Sequence, residues 1–284
     1  LNRGLDINNF GKRISFFFNA HNHFFEEIAK FRAARKMWAN IMKSMGATDE
    51  RAMMLRFHTQ TGGSTLTAQQ PYNNIARVTI QTMAAVLGGT QSLHTNSYDE
   101  ALGLPTQAAA EIALRTQQIV AFESGITETV DPLAGSYFIE ELTNTLEQKA
   151  QNYINTIDEM GGSIVAIENK YMEQEIMDSA YKYQRKIETK EKIIVGLNEF
   201  ITKDSTQIPV LRIYDNIRIT QIEKLNLLKM KRNAQEVTLA LKNIQKAAIE
   251  NTNLMPAVLN AVEQYCTLGE IAQCLREIFG EYKS

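Results

Sequence analysis

Arg56, His58 and Gln60 alternate along the run RFHTQ, so a strand there sets a guanidinium, an imidazole and a carboxamide in one row. Arg13, Ser15, Phe17 and Asn19 form a second row of the same period. In TQSLHT a third is expected, with Gln91, Leu93 and Thr95 on one face and Ser92, His94 and Asn96 on the other. Rows of this kind suit a long polar ligand that runs along the strands. His21 and His23 alternate and could chelate a metal, but no third ligand accompanies them. The separation of Cys266 and Cys274 matches neither a CxxC pair nor a zinc-ligand spacing, so both read as reduced, structural thiols.

The elements that would carry these rows follow a βα rhythm, which predicts a parallel sheet. Strands are expected at 13–20, 54–60 and 90–95, with a weaker one near Gly135–Ile139 (GSYFI). Helices are expected from Phe24 until Gly46 closes the first, then from Pro71 to Leu87 and from Thr106 to Glu123. From Glu141 the character changes to long charged helices, broken at Gly161 and Gly162 and interrupted by two short apolar runs, KIIVGL and PVLRIY. Helices resume from Asn216 to the end. The fold class that follows is α/β: about four βα units, half of a (β/α)8 barrel over 1–140, and a mainly helical region over 141–284.

Polar rows can face solvent on a two-layer sheet. Parallel sheets, however, normally have both faces covered, which favours a polar barrel interior holding a ligand. Half a barrel leaves two strand edges and one side of the core open, so something must complete it.

Lys and Arg number 30 against 32 acidic residues, and the formal charge of -2 gives no global attraction for nucleic acid or an anionic membrane. A polyanionic ligand must therefore be held by locally placed cations. No apolar run approaches the roughly 18 residues a membrane span needs, and no leader-like segment opens the chain, so a cytoplasmic address is expected. The first residue is Leu1, which leaves a processed product, a fragment and an internal numbering all open.

The runs RFHTQTGGSTLT and PYNNIARVTIQTMAAVLGGTQSLHTNSYDEALGLPT resemble the substrate-binding barrel of the methylmalonyl-CoA mutase family. The resemblance extends through RISFFFNAHNHFFEEIAKFRAARKMW, ESGITETVDPLAGSYFIEELT, DEMGG and VGLNEF to TLGEIAQCLREIFGEYK. It implies an isomerase that uses adenosylcobalamin for a radical carbon-skeleton rearrangement of an acyl-CoA, interconverting methylmalonyl-CoA and succinyl-CoA. The hard chemistry would be the cofactor's, while the barrel holds the CoA arm and excludes water.

By this resemblance Arg13 and Ser15 fall at contacts to the CoA phosphates, where a guanidinium and a hydroxyl offer directed donors. Arg13 could equally be a solvated cation at a strand start. Arg56, His58, Gln60 and Gln91 fall among the acyl-CoA contacts. His58 and Gln60 also fall near the corrin, together with Gly63 and with Glu100, Ala101 and Leu104 in the loop after the third strand. The competing readings are a hydrogen-bonded structural histidine for His58 and a first-turn helix carboxylate for Glu100.

Two departures from the family pattern matter. Ser64 stands where the TSGW motif has its bulky aromatic, and FFFNAHN replaces the common FFWGIGMN. Both look like large subunits that carry cobalamin on a separate small subunit, a group that includes methylmalonyl-CoA mutases and isobutyryl-CoA or 2-hydroxyisobutyryl-CoA mutases. The family's substrate-gripping residues lie in the other barrel half, so no catalytic residue is expected in this one. The cobalt-ligating DxHxxG signature does not occur in these residues. A front-half barrel polypeptide and a cobalamin-binding small subunit or domain are therefore expected partners, in a homo- or hetero-oligomer. A noncatalytic CoA-binding or assembly fragment is the alternative.

Overall fold

The computed structural model describes residues 4–202, 208–212 and 215–281. The chain divides into two compact units, Leu1–Leu211 and Arg212–Ser284, each with its own core.

The first unit is α/β and centres on a three-stranded parallel sheet in the order β1 (Phe16–Ala20), β2 (Phe57–Thr61), β3 (Ser92–His94). Before the sheet lies the short α1 (Ile7–Phe10), and α2 (Phe24–Ser44) and α3 (Glu50–Met53) connect β1 to β2. The helix α4 (Asn73–Leu87) connects β2 to β3. Then come α5 (Gln107–Phe122), α6 (Tyr137–Glu159), α7 (Ser163–Glu168) and α8 (Tyr171–Glu188). The second unit holds α9 (Asp215–Lys231), α10 (Ala234–Ile249), α11 (Met255–Glu263) and α12 (Leu268–Phe279).

The alternation of the strands decides which sheet face is covered. Phe16, Phe18 and Phe57 point to the side of α2 and α4, where they pack with Phe31, Trp38, Leu55 and Ala85. Phe18 meets Phe31 and Phe57 edge-on at 5.8 and 5.4 Å, and Phe16 meets Trp38 at 4.9 Å, geometries that suit the ring quadrupoles. The alternate residues face the other way, a side left open among the described residues, where Phe17 is 64% exposed.

Two expectations are corrected. The first strand starts at Phe16, because residues Gly11–Arg13 form a single 3-10 turn and Ile14 caps it. Arg13 and Ser15 therefore precede the strand. The run GSYFI is no strand but the entry to α6. Ile139 and Thr143 are its buried positions, four apart as on one helix face, and a five-residue apolar run is too short to reveal that period. Three βα units are thus present among the described residues where four were expected. The KIIVGL segment supplies only an isolated bridge, Val195 to Glu199. Within PVLRIY, residues 209–212 form no strand, and 213–214 lie outside the described residues.

Arg32 on α2 ties the start of α6 to the sheet layer. Its guanidinium donates from Nε to Asp131 Oδ2 (3.1 Å), from Nη1 to Thr143 Oγ1 (2.9 Å) and from Nη2 to Glu140 Oε1 (2.8 Å). That hydrogen bond, together with the Gly135 N–H, holds the Glu140 carboxyl below its ordinary pKa.

Candidate functional site

The uncovered sheet face brings the strand rows into register. Phe17, His58 and Ser92 stand side by side, and so do Asn19, Gln60 and His94. The Phe16 N–H donates to the Arg56 carbonyl at 2.8 Å, which continues the register to Ser15 beside Arg56. His58 Nδ1 lies 2.7 Å from Ser92 Oγ, and its ring sits 5.0 Å from that of Phe17. Gln60 Nε2 donates to Asn96 Oδ1 at 3.0 Å. Arg13 and Arg56 are exposed, and among the described residues neither side chain has a hydrogen-bond or ion-pair partner.

Gln91 is placed differently from the other expected contacts. Its Oε1 accepts from the Phe57 N–H at 2.7 Å and its Nε2 donates to the Gly89 carbonyl at 2.9 Å, so the carboxamide completes the lower edge between β2 and β3.

The C-terminal ends of the strands converge on a polar rim. Gly63 lies against Asn96 and Glu100: a Cβ on Gly63 would fall 2.6 Å from Asn96 Nδ2 and 3.4 Å from Glu100 Oε1. Asn96 is buried, and its Nδ2 has no partner among the described residues. Glu100, Ala101 and Leu104 are exposed in the loop that follows β3. Glu100 is not in the first turn of α5, which starts at Gln107 under a Thr106 cap, so the helix-start reading for it does not hold.

Sequence reasoning missed the residues that shape this rim. Gln81, fully buried in α4, accepts from the Gly62 N–H at 2.8 Å and donates to Thr65 Oγ1 at 2.6 Å and to Asn22 Oδ1, which fixes the loops after β1 and β2 together. Asn74 donates to the Thr67 and Tyr98 carbonyls, both at 2.9 Å, and so links the loops after β2 and β3. Asp99 Oδ2 accepts from the Thr106 N–H at 2.9 Å. For Gln81 and Asn74 the available signal was a polar residue on the apolar side of a helix, which a hydrophobic period discards.

A cleft of 620 Å³ opens beside the rim, lined among others by His21, Ser64, Tyr153, Glu175, Ser179 and Tyr183. Tyr153 Oη donates to Glu175 Oε2 at 2.8 Å, and burial lowers the His21 pKa, with Lys192 and Lys30 acting in the same sense against Glu27 and Glu26. His23 turns away to Glu26, 3.0 Å from its Oε2. Among the described residues no group of three His, Cys, Asp or Glu side chains could hold a metal ion, and no helix is long and apolar enough to cross a membrane.

The cofactor expected from the resemblance can be tested against this geometry. The orphan Asn96 Nδ2, the exposed Glu100 carboxylate and the bare Gly63 backbone lie together at the strand ends, a donor, an acceptor and a gap for close approach. These residues fit a ligand rich in hydroxyl and amide groups, as adenosylcobalamin is.

Comparison with known proteins gives the lineage. The family described as methylmalonyl-CoA mutase matches residues 1–281. The probable mitochondrial methylmalonyl-CoA mutase of Caenorhabditis elegans is 45% identical, over 99% of this chain and 38% of its own length. The Escherichia coli methylmalonyl-CoA mutase is 43% identical, over 99% of this chain and 40% of its own. The 2-hydroxyisobutanoyl-CoA mutase large subunit of Aquincola tertiaricarbonis is 39% identical, over 99% of this chain and 50% of its own. The chain thus spans 38–50% of the length of these relatives. A match over nearly every residue shows that the chain belongs to the methylmalonyl-CoA mutase family.

Proposed function

We propose that this chain forms the acyl-CoA-holding back half of a (β/α)8 barrel in an adenosylcobalamin-dependent acyl-CoA mutase that interconverts methylmalonyl-CoA and succinyl-CoA. The observation that carries the reading is the uncovered sheet face, where Arg56, His58 and Gln60 form one row and Ser15 stands beside Arg56, with Arg13 exposed in the turn that precedes β1. A solvated outer face would not need two unpaired guanidiniums at one end and a rim of buried amides at the other. Arg13 and Ser15 hold CoA phosphates at the lower end, while His58 and Gln60 orient the acyl arm toward the rim. Gln91 acts there by shaping the β2–β3 edge. Gly63, Glu100, Ala101 and Leu104 form the side that meets the cofactor.

Bound adenosylcobalamin supplies the radical chemistry. The residues of this chain bind, orient and exclude water, which fits the expectation that the substrate-gripping groups come from the other barrel half. That half and a cobalamin-binding domain or subunit are the partners this reading requires; among the described residues β1 and β3 each end the sheet with an unpaired edge, which the other half would cover. The cellular site proposed is the cytoplasm.

A 2-hydroxyisobutyryl-CoA or isobutyryl-CoA mutase large subunit is a second reading, favoured by the large-subunit relative at 39% identity.

Arg13→Ala tests the assignment. In the assembled enzyme it is expected to weaken CoA binding by about 1.5–3 kcal/mol through loss of a charge-assisted phosphate contact. Calorimetry with CoA and with a short acyl-pantetheine separates the cases. Equal losses with both would show that Arg13 does not reach the phosphates.

A further inference from the structure

A second cleft, of 410 Å³, opens at the other end of the sheet, beside the turn that leads from α4 into β3. Arg35 of α2 and Asp131 of the loop after α5 stand in its wall, and each is left with polar groups unmatched. The Arg35 guanidinium donates from Nη1 to the Gly88 carbonyl, its one hydrogen bond among the described residues, and it pairs with no carboxylate there. Burial pulls its pKa below the ordinary value, against the attraction of Asp131. Asp131 Oδ2 accepts from Arg32 Nε at 3.1 Å, but Oδ1 is buried and has no partner among the described residues. The carboxylate cannot turn Oδ1 elsewhere without giving up its bond to Arg32.

One water could bridge these two groups, but the cleft has room for far more than the ~30 Å³ that a water takes. Much of its remaining wall is apolar, with Val86, Leu87, Ile126, Val130 and Pro132, and the Gln91 carboxamide is already engaged at both of its ends. Gly89 keeps the guanidinium accessible, since a Cβ there would fall 2.8 Å from Arg35 Nη1. A guest with an apolar body and one polar edge uses the whole space.

Charge decides what that edge is. Arg32 binds both Asp131 and Glu140, so with Arg35 the local charges balance, two of each sign. An anion drawn to Arg35 would face Oδ1, and a cation drawn to Oδ1 would face Arg35. A neutral carboxamide satisfies both: its carbonyl accepts from the guanidinium and its N–H donates to Oδ1. Its two polar atoms lie apart, as do the two groups they meet.

We propose that this cleft is a binding site for a small neutral carboxamide with an apolar body, held between Arg35 and Asp131. Neither residue belongs to the acyl-CoA or cofactor sets above, so the site stands independently of the mutase reading.

Benzamide, benzoate and benzylammonium test it, because they share a phenyl body and differ in the charge of the polar edge. Calorimetry with the full chain is expected to show benzamide binding at least about tenfold more tightly than either ion. Asp131→Asn removes the negative charge, and benzoate should then gain about tenfold on benzamide. Arg35→Met removes the guanidinium, and benzylammonium should gain by a similar factor. A variant that merely loosens the fold weakens all three probes together and cannot shift their order in opposite senses. Circular dichroism reports whether each variant is folded, and should one not fold, the wild-type order of the three probes still decides. Equal affinity of the wild type for all three, no benzamide binding at millimolar concentration, or an unchanged order in a folded variant would overturn the site.

Discussion

Gly63 has no need of glycine's backbone freedom, since its φ lies outside the left-handed region; what it needs is the absence of a side chain. Asn96 cannot retreat from an added Cβ, because its Oδ1 accepts from Gln60 and its N–H donates to Thr61 Oγ1 at 2.8 Å. Gly63→Ala is therefore expected to cost about 1–3 kcal/mol by overpacking. Asn96→Ala in the same chain should restore part of it, because the methyl then has room. Thermal melts of the two single variants and the double variant decide this. If Gly63→Ala melts as the wild type does, the contact is not tight, and the close approach assigned to the rim loses its basis. At this scale the sequence was half legible. The row Arg56, His58, Gln60 could be read from its period of two, and the structure sets it on one face. The reach of Gly63 to Asn96, or of Gln91 to the Phe57 N–H, depends on register between strands, which no local pattern encodes.

Among the elements, the strands and crossover helices were legible because each has a strong apolar period, and α2 and α4 start and stop within two or three residues of expectation. The entry to α6 was not, because it opens on three consecutive apolar residues, Tyr137, Phe138 and Ile139, and its identity is settled by Arg32, a residue roughly a hundred positions earlier. That guanidinium is 12% exposed and makes three directed bonds to a loop and to α6. Arg32→Lys keeps the charge but offers one compact ammonium in place of a fork. The substitution is expected to destabilise the first unit by about 2 kcal/mol, from two lost charge-assisted bonds. Hydrogen exchange should show faster opening at the start of α6 than in α4. Uniformly faster exchange through both helices would show that Arg32 supports the whole layer and not this one junction.

Over the whole molecule, the two compact units carry separate reporters. Trp38, the chain's one tryptophan, packs against Phe16 in the first unit. Cys266 and Cys274, its two cysteines, are buried in the core of the second, with their thiol pKa raised by burial. A partly buried ion pair joins two helices of the second unit. Arg232, just after α9, donates from Nη1 to Glu270 Oε2 at 2.7 Å and from Nη2 to Glu270 Oε1 at 2.5 Å. Glu270 also closes the capping box of α12 with Thr267. The pairing with Arg232 lowers the Glu270 pKa from an ordinary 4.5 to about 2. Between those values the unfolded chain binds the proton that the folded unit refuses, so stability rises with pH across the window. The contribution of Glu270 is fully present above pH 4.5 and is lost as pH falls toward 2. Glu270→Gln removes it at all pH values, and at neutral pH the expected loss is about 2 kcal/mol, or about a thirtyfold faster reaction of the two thiols with dithiodipyridine if labelling follows opening. The Trp38 emission midpoint in urea should stay where the wild type has it. In the wild type, acidification should speed thiol labelling before it shifts Trp38, and in Glu270→Gln that early acid step should be absent. If Trp38 and the thiols move together in the variant, the cores unfold as one cooperative structure, and the pairing of Arg232 with Glu270 stabilises the whole chain and not the second unit alone.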